Sequence, residues 1–205
     1  MERSFVAQVA RAPAVFVAGR FQRHTSPQFR SLEGSRSGGR WGAPGAFPVI
    51  YLGRPTESVI AEAYRHLVDP TPGLSGEHVG PRAVLTCDVS IAEVLDLRSR
   101  EALSLLSLHA PDLTGFNYVK CQRVGAAAHQ LGLKGIIAPA ATELGETLAI
   151  FERNLKEGDK LTLVATETWL HLPPDPRPRR TGDLADELAA RMLTLRKPDP
   201  ESGEM

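Results

Sequence analysis

Residues 35–67, "SRSGGRWGAPGAFPVIYLGRPTESVIAEAYRHL", hold the features that decide the fold of this chain and point to its chemistry. Arg40 follows two glycines, Tyr51 lies on a predicted strand and Glu62 lies on a predicted helix, at equal intervals of eleven residues. A loop arginine, a strand tyrosine and a helical carboxylate suit an anionic substrate whose reaction develops positive charge. We therefore treat these three residues as the candidate site.

The loop and the strand of this segment each present one of these side chains. Gly38 and Gly39 allow the backbone to adopt a positive φ or to approach a ligand closely. Arg40 can then offer a planar set of donors to a phosphate or carboxylate. Residues 47–53 alternate in the manner of a strand, which places Tyr51 on one face of it.

Residues 56–67 are predicted to form an amphipathic helix. Thr56 is the expected N-cap, and Glu57 lies in the first turn, where a carboxylate favours the helix dipole. At 100° per residue, Glu62 and His66 fall one turn apart at the rim of the apolar face. The carboxylate of Glu62 is therefore expected to overlook a cleft.

Outside this segment the pattern mixes strands and helices. Residues 91–99 are predicted to form a short helical turn that runs into a strand. Further strands are predicted at 14–23, 82–90, 134–141, 146–152 and 160–172, and further helices at 99–108 and 117–131. The order has no βαβ rhythm, which favours an α+β fold with a largely antiparallel sheet over a doubly wound fold.

Composition excludes several functional classes. Of 205 residues, 42% are apolar, and the 24 basic residues balance the 24 acidic ones. A neutral chain lacks the excess of positive charge that direct nucleic-acid binding needs. No apolar run approaches the roughly 20 residues of a membrane span. Cys87 and Cys121 form no CxxC motif, which suits a reducing cytoplasm, so a cytoplasmic protein is expected.

The C-terminal part is predicted to be separate from the main domain, 1–172. Residues 173–182 read as a proline-rich linker, 183–198 as an amphipathic helix and 199–205 as a disordered tail. The apolar residues of this helix recur at helical spacing and are Leu184, Leu188, Met192 and Leu195. The helix is expected to pack on its own domain, on a second copy in a homodimer, or on a regulatory partner.

Taken together, the motifs resemble those of the RES domain family, which is named for its Arg, Glu and Ser. The resemblance runs from about residue 14 to residue 155. The matching segments are "AGRFQRH", "GGRW", "PVIYL", "SVIAEAYRH", "KCQRVGAAAHQLG" and "GIIAPAATELGETLAIF". Each motif is common by itself, whereas the combination is specific.

The resemblance implies a toxin of a two-gene toxin–antitoxin system with a core like that of the ADP-ribosyltransferases. Family members consume NAD as a substrate by hydrolysis, by phosphorolysis or by modifying a protein target. Their antitoxins carry a helix-turn-helix module and cover the NAD cleft. No other cofactor is expected, since the chain has no GxGxxG motif and no metal-ligand spacing of His or Cys.

The resemblance also assigns roles to residues. Arg40, Tyr51 and Glu62 match the family's second arginine, tyrosine and glutamate and are the predicted catalytic residues. The family's first arginine corresponds to Arg20 or Arg23, which lie on opposite faces of a strand, and Arg20 is preferred. The predicted NAD-binding residues are Arg20, Arg23, Gly39, Arg40, Tyr51 and Thr142.

The family's serine is missing, because its "P-S-A" motif reads Pro139-Ala140-Ala141 here. Thr142 could supply the hydroxyl, and His24 and His66 are further candidates for the cleft wall. Either the serine's hydrogen bond is dispensable or replaced, or the activity is weakened. The expected function is cleavage of the nicotinamide–ribose bond of NAD. The alternatives are ADP-ribosylation of one protein target and a catalytically weak interaction module for a helix-turn-helix repressor.

Overall fold

The computed structural model describes residues 3–178, which form a six-stranded sheet with helices packed on it. The strands are β1 Ala14–Thr25, β2 Val49–Arg54, β3 Arg82–Asp96, β4 Gly135–Pro139, β5 Glu146–Phe151 and β6 Lys160–Trp169. The α-helices are α1 Arg3–Val9, α2 Thr56–Leu67, α3 Arg100–Leu105, α4 Ala110–Thr114 and α5 Val119–Gln130. The predicted helix 183–198, the tail 199–205 and the end of the linker lie outside the described residues.

The sheet has the order β1-β2-β5-β4-β3-β6, and β1 pairs with β3 as well. The first five strands therefore close into a ring. Every pairing is antiparallel except β3 with β4, so the expected α+β fold with a largely antiparallel sheet is confirmed. The ring closes between β1 and β2 through one residue pair, Gln22 with Gly53.

Two apolar clusters hold these elements together. One is contributed by all five strands of the ring and consists of Val17, Phe21, Ile50, Leu52, Cys87, Val89, Ile91, Val94, Ile137, Leu148 and Ile150. The other packs the helices on the sheet and includes Phe5, Val9, Trp41, Phe47, Val49, Cys121, Val124 and Phe151. Burial raises the pKa of both thiols, Cys87 and Cys121, to about 11, which leaves them protonated and unreactive.

Two local predictions are wrong. Residues 91–96 form no helical turn, because β3 continues through them against β1, with Ala14 opposite Leu95. Thr56 is not the N-cap of α2 but its first helical residue, and Pro55 holds the cap position without a side-chain hydrogen bond. The hydroxyl of Thr56 instead donates to Oε1 of Gln22 at 2.7 Å, which ties α2 to β1.

The first residues of the predicted linker pack on α2. The hydroxyl of Tyr64 donates to the carbonyl of Pro173 at 3.0 Å. Arg177 contacts both Asp175 and Asp69, the latter at 2.6 Å. Residues 173–178 are thus attached to the helix that carries Glu62. None of the helices in the described part of the chain is both long enough and apolar enough to cross a bilayer.

Helix α5 supports the loop that carries Arg40. A Cβ atom at Gly125 would lie 1.9 Å from the carbonyl oxygen of Trp41, which is closer than any real contact allows. Trp41 itself is 1% exposed. The absence of a side chain at position 125 therefore fixes how near the loop approaches α5.

Candidate active site

A cavity of about 450 Å³ lies between β1, β2, α2 and the loop that precedes β2. The predicted residues Arg23, Gly39, Arg40, Tyr51 and Glu62 all line it. The wall is completed by Gln22, His24, Gly38, Trp41, Leu52, Gly53, Val59, His66, Tyr118, Pro139, Ala141 and Thr147. The fold thus brings together most of the residues that the sequence singled out.

The two glycines are needed to place the loop against Tyr51. Gly38 has a φ of 91°, which side chains rarely permit. A Cβ atom at Gly39 would lie 2.7 Å from the hydroxyl oxygen of Tyr51. That oxygen accepts a hydrogen bond from the backbone N–H of Trp41 at 2.9 Å. Burial raises the pKa of Tyr51 to about 12, so its phenol stays protonated and can donate to a ligand.

Arg40 is held in place by α4 and the residues after it. Its Nη1 donates to the carbonyl of Asp112 at 2.8 Å, and its Nη2 donates to the carbonyl of Gly115 at 3.1 Å. The guanidinium stacks on the ring of Tyr118, 4.6 Å from the ring centre. Since carbonyls are neutral and no described carboxylate pairs with Arg40, its positive charge remains available to an anion.

Glu62 has one carboxylate oxygen without a partner. Oε2 lies 3.4 Å from Nε2 of His66, one turn further along α2. Oε1 is buried and makes no hydrogen bond within the described residues. A buried acceptor without a hydrogen bond destabilises the folded protein by about 1–3 kcal/mol, and a charged one by more. Such a group calls for an explanation, and a ligand that supplies the missing hydrogen bond is one.

The structure places Arg23, and not Arg20, in the cavity. Arg23 lines the wall and donates from Nη1 to the carbonyl of Glu33 at 3.4 Å, a weak contact. Burial lowers the pKa of Arg23 below its usual value of 12.5. Arg20 does not line this cavity, and its exposed side chain pairs with Asp88 at 3.1 Å instead. The preference for Arg20 therefore does not agree with the geometry of this cavity.

Thr142 does not replace the missing serine within the cavity wall. Its hydroxyl oxygen is buried without a partner, and the residue does not line the cavity. Ala140 is 1% exposed, whereas its neighbour Ala141 does reach the wall. A hydroxyl that sequence reasoning missed, that of Thr147 on β5, lies there instead. Thr147 pairs with Gly53 and so shares a face with Tyr51, a relationship visible only once the strand pairing is known.

Comparison with known proteins places this arrangement in a family. A family model of the RES domain matches residues 15–173. The chain belongs to the RES domain family. The predicted resemblance is thereby confirmed, and it extends past the expected end at residue 155. Within residues 3–178, no three His, Cys, Asp or Glu side chains form a group that could hold a metal ion.

Relatives of this RES domain are named for reactions of NAD. The NAD(+) phosphorylase MbcT of Mycobacterium tuberculosis is 30% identical over 139 residues, which cover 66% of this chain and 75% of the relative. MbcT of Mycobacterium bovis matches to the same extent. The crystal structure of the M. tuberculosis MbcT–MbcA toxin–antitoxin complex contains a chain of the same fold, with a TM-score of 0.74 and 27% identity. That match covers 92% of this chain and 98% of the other.

Proposed function

We propose that this RES domain is an NAD-cleaving toxin of a toxin–antitoxin pair, which breaks the nicotinamide–ribose bond and passes the ADP-ribosyl group to phosphate or water. The relatives' names support the reaction. The observation that carries the proposal is the buried, unpartnered oxygen of Glu62 in one cavity with Arg23, Arg40 and Tyr51.

The charges of the cavity match those of NAD. The pyrophosphate is an anion, and Arg23 and Arg40 are cations without carboxylate partners among the described residues. Tyr51 offers its ring and a protonated hydroxyl to the nicotinamide or its ribose. When the glycosidic bond breaks, its electron pair moves to the nicotinamide nitrogen and positive charge develops on the ribosyl carbon. The carboxylate of Glu62 stabilises that charge in the transition state.

We further propose an ADP-ribosyltransferase-like core and a helix-turn-helix antitoxin that covers the cavity mouth. Support for a covering partner comes from two apolar side chains next to Tyr118 of the wall. Phe116 and Val119 are 66% and 69% exposed, an arrangement common at protein interfaces. A second copy of the chain is the other candidate for this surface.

Incubating the purified protein with NAD, with and without inorganic phosphate, tests the proposed activity. We expect free nicotinamide in both samples, and ADP-ribose 1″-phosphate as the main product when phosphate is present. Products are separated by liquid chromatography and identified by mass. A folded protein that releases no nicotinamide would support the catalytically weak interaction module, which Ala140 in place of the family's serine favours.

Substituting glutamine for each of the two arginines of β1 in turn separates their roles. Arg23→Gln is expected to raise the KM for NAD by about tenfold to a hundredfold, because a charge-assisted contact to phosphate contributes about 1.5–3 kcal/mol. Arg20→Gln removes only an exposed ion pair and serves as the matched control. The measurement is nicotinamide release against NAD concentration. A larger effect in Arg20→Gln than in Arg23→Gln would show that the pyrophosphate binds outside this cavity.

Co-expression tests the partner. Expression of the chain alone is expected to arrest bacterial growth, and expression together with the adjacent gene is expected to restore it, because an enzyme that consumes a central cofactor must be restrained. Glu62→Gln provides the control, since cells that express this variant should grow normally without the adjacent gene. Normal growth with the wild-type chain alone would argue against the toxin.

A further inference from the structure

One corner of the cavity has ring N–H groups with a positive charge behind them, and the proposed NAD contacts use neither. His24 of β1 and His66 of α2 line this corner. Arg82, at the start of β3, lies behind His24, with Nη2 at 3.4 Å from the Nδ1 of that ring. Its Nε is buried and unpartnered, and no described carboxylate forms an ion pair with Arg82. We call His24, His66 and Arg82 the basic corner.

The contact with Arg82 favours one tautomer of His24. A guanidinium only donates hydrogen bonds, so Nδ1 of His24 must accept, and the hydrogen of the neutral ring lies on Nε2. Burial, and then the charges of Arg82, His66 and Arg23, lower the pKa of His24 to about 3. The ring is thus a constant N–H donor rather than a base. Its Nε2 has no partner in the described chain, and the residue lines the cavity.

His66 places the basic corner next to the proposed reacting carbon. Its Nε2 lies 3.4 Å from Oε2 of Glu62, the carboxylate that faces the ribosyl group in the proposed function. Its side chain is 52% exposed, so the ring is accessible from the cavity. A ligand in this corner would therefore lie beside the atoms that react.

We propose that the basic corner binds the inorganic phosphate that accepts the ADP-ribosyl group, with His24 and His66 as its donors. This inference rests on the proposed function and deepens it by assigning the acceptor a place. A phosphate dianion needs hydrogen-bond donors and positive charge, which this corner supplies. It needs no general base, because one of its oxygens is already negative. Water, in contrast, would need a base, and His24 cannot act as one.

The chemical step is balanced without any further reactant. An oxygen of hydrogen phosphate forms a bond to the anomeric carbon of the nicotinamide-bearing ribose. The bond from that carbon to nicotinamide breaks, and its electron pair neutralises the pyridinium nitrogen. The proton stays on the phosphate group, and the products are nicotinamide and ADP-ribose 1″-phosphate. Nothing is oxidised or reduced.

The kinetic test compares variants of the corner at varied phosphate and saturating NAD. His24→Leu and His66→Ala are expected to raise the KM for phosphate at least tenfold and to shift the products from ADP-ribose 1″-phosphate towards ADP-ribose. His24→Gln should recover most of the phosphate affinity, because its amide restores an N–H donor. His78→Gln is the control, since this exposed histidine lies outside the cavity wall and its ring hydrogen-bonds Ser75. An unchanged KM for phosphate in both His24→Leu and His66→Ala would overturn the proposal.

A binding measurement keeps this inference separate from the proposed function. Calorimetric titration of inorganic phosphate into the protein without NAD, at constant ionic strength set by chloride, should show binding to the parent that is at least tenfold weaker in His24→Leu. Equal binding to both proteins would overturn the subsite even if the parent cleaves NAD. If the parent binds phosphate in this way but releases no nicotinamide, the proposed function fails while the anion site stands.

A third experiment distinguishes binding of free inorganic phosphate from binding of a phosphate group carried by the substrate. NADP carries an extra phosphate monoester on its adenosine ribose, which has the same chemistry. If His24→Leu raises the KM for NADP but leaves the KM for inorganic phosphate unchanged, the corner binds that ester and the acceptor assignment is wrong. The expected result is that His24→Leu changes the kinetics with NAD and with NADP by the same factor at each phosphate concentration.

Discussion

Glu62→Gln is expected to lower the rate of nicotinamide release by about 10²–10³, while the affinity for NAD stays nearly unchanged. The carboxylate faces a ribosyl cation that exists only in the transition state, so removing its charge affects turnover and not ground-state binding. Glutamine keeps the size of the side chain. Its amide can also occupy the position of the buried Oε1 without disturbing α2.

Glu57→Gln is the matched control for this substitution. Glu57 lies in the first turn of the same helix and is exposed, so losing its charge should cost about 0.3 kcal/mol of stability and no activity. Both variants are assayed for nicotinamide release and NAD binding, with circular dichroism to verify folding. A folded Glu62→Gln that turns over NAD like the parent would remove Glu62 from the mechanism.

Gly125→Ala is expected to have the second large effect, through the position of the loop rather than through chemistry. The added methyl group would lie 1.9 Å from the Trp41 carbonyl oxygen, a backbone atom that cannot rotate away. Overpacking of this kind costs about 1–3 kcal/mol, and we expect the upper end because backbone must move. Since Arg40 precedes Trp41, its displacement should also raise the KM for NAD at least tenfold.

Ala126→Gly measures the ordinary effect of a glycine–alanine difference in the same helix. Ala126 is only partly buried, and its loss should cost about 1 kcal/mol of helix stability with the KM for NAD unchanged. Urea unfolding and NAD kinetics are measured for both variants. If Gly125→Ala instead stabilises the protein, as an alanine in an uncrowded helix would, then α5 does not set the position of the loop.

The candidate site is easiest to recognise from the sequence where its residues are close together in the chain. Arg40, Tyr51 and Glu62 lie within one segment of loop, strand and helix, and each element is recognisable from its own periodicity. Alternation along β1 also showed that Arg20 and Arg23 face opposite sides. It could not show that Arg23 and not Arg20 lines the cavity, because the wall takes Gln22 and His24 from one side of β1 and Arg23 from the other.

The features that the sequence missed depend on contacts between distant segments. Thr147 reaches the cavity because β5 pairs with β2, and the continuity of β3 through residue 96 depends on its pairing with β1. Local propensity carries no information on either pairing. The same holds for Arg82, whose role follows from its distance to His24 across two strands, and not from the residues around it in the chain.

The single pair that joins β1 to β2, Gln22 with Gly53, has a consequence for the width of the site. Both residues line the cavity, so the candidate site lies where β1 and β2 diverge. Moving β1 and β2 apart would break almost no backbone hydrogen bonds between them. The long ladders of β1 with β3 and of β2 with β5 lie on the opposite edges of these two strands. Beside the cavity, β1 and β2 are therefore held together mainly by side chains, namely the hydrogen bond from Thr56 to Gln22 and the apolar cluster that the two strands share. Substitutions of these side chains would change the width of the site without breaking the hydrogen-bond ladders of the sheet.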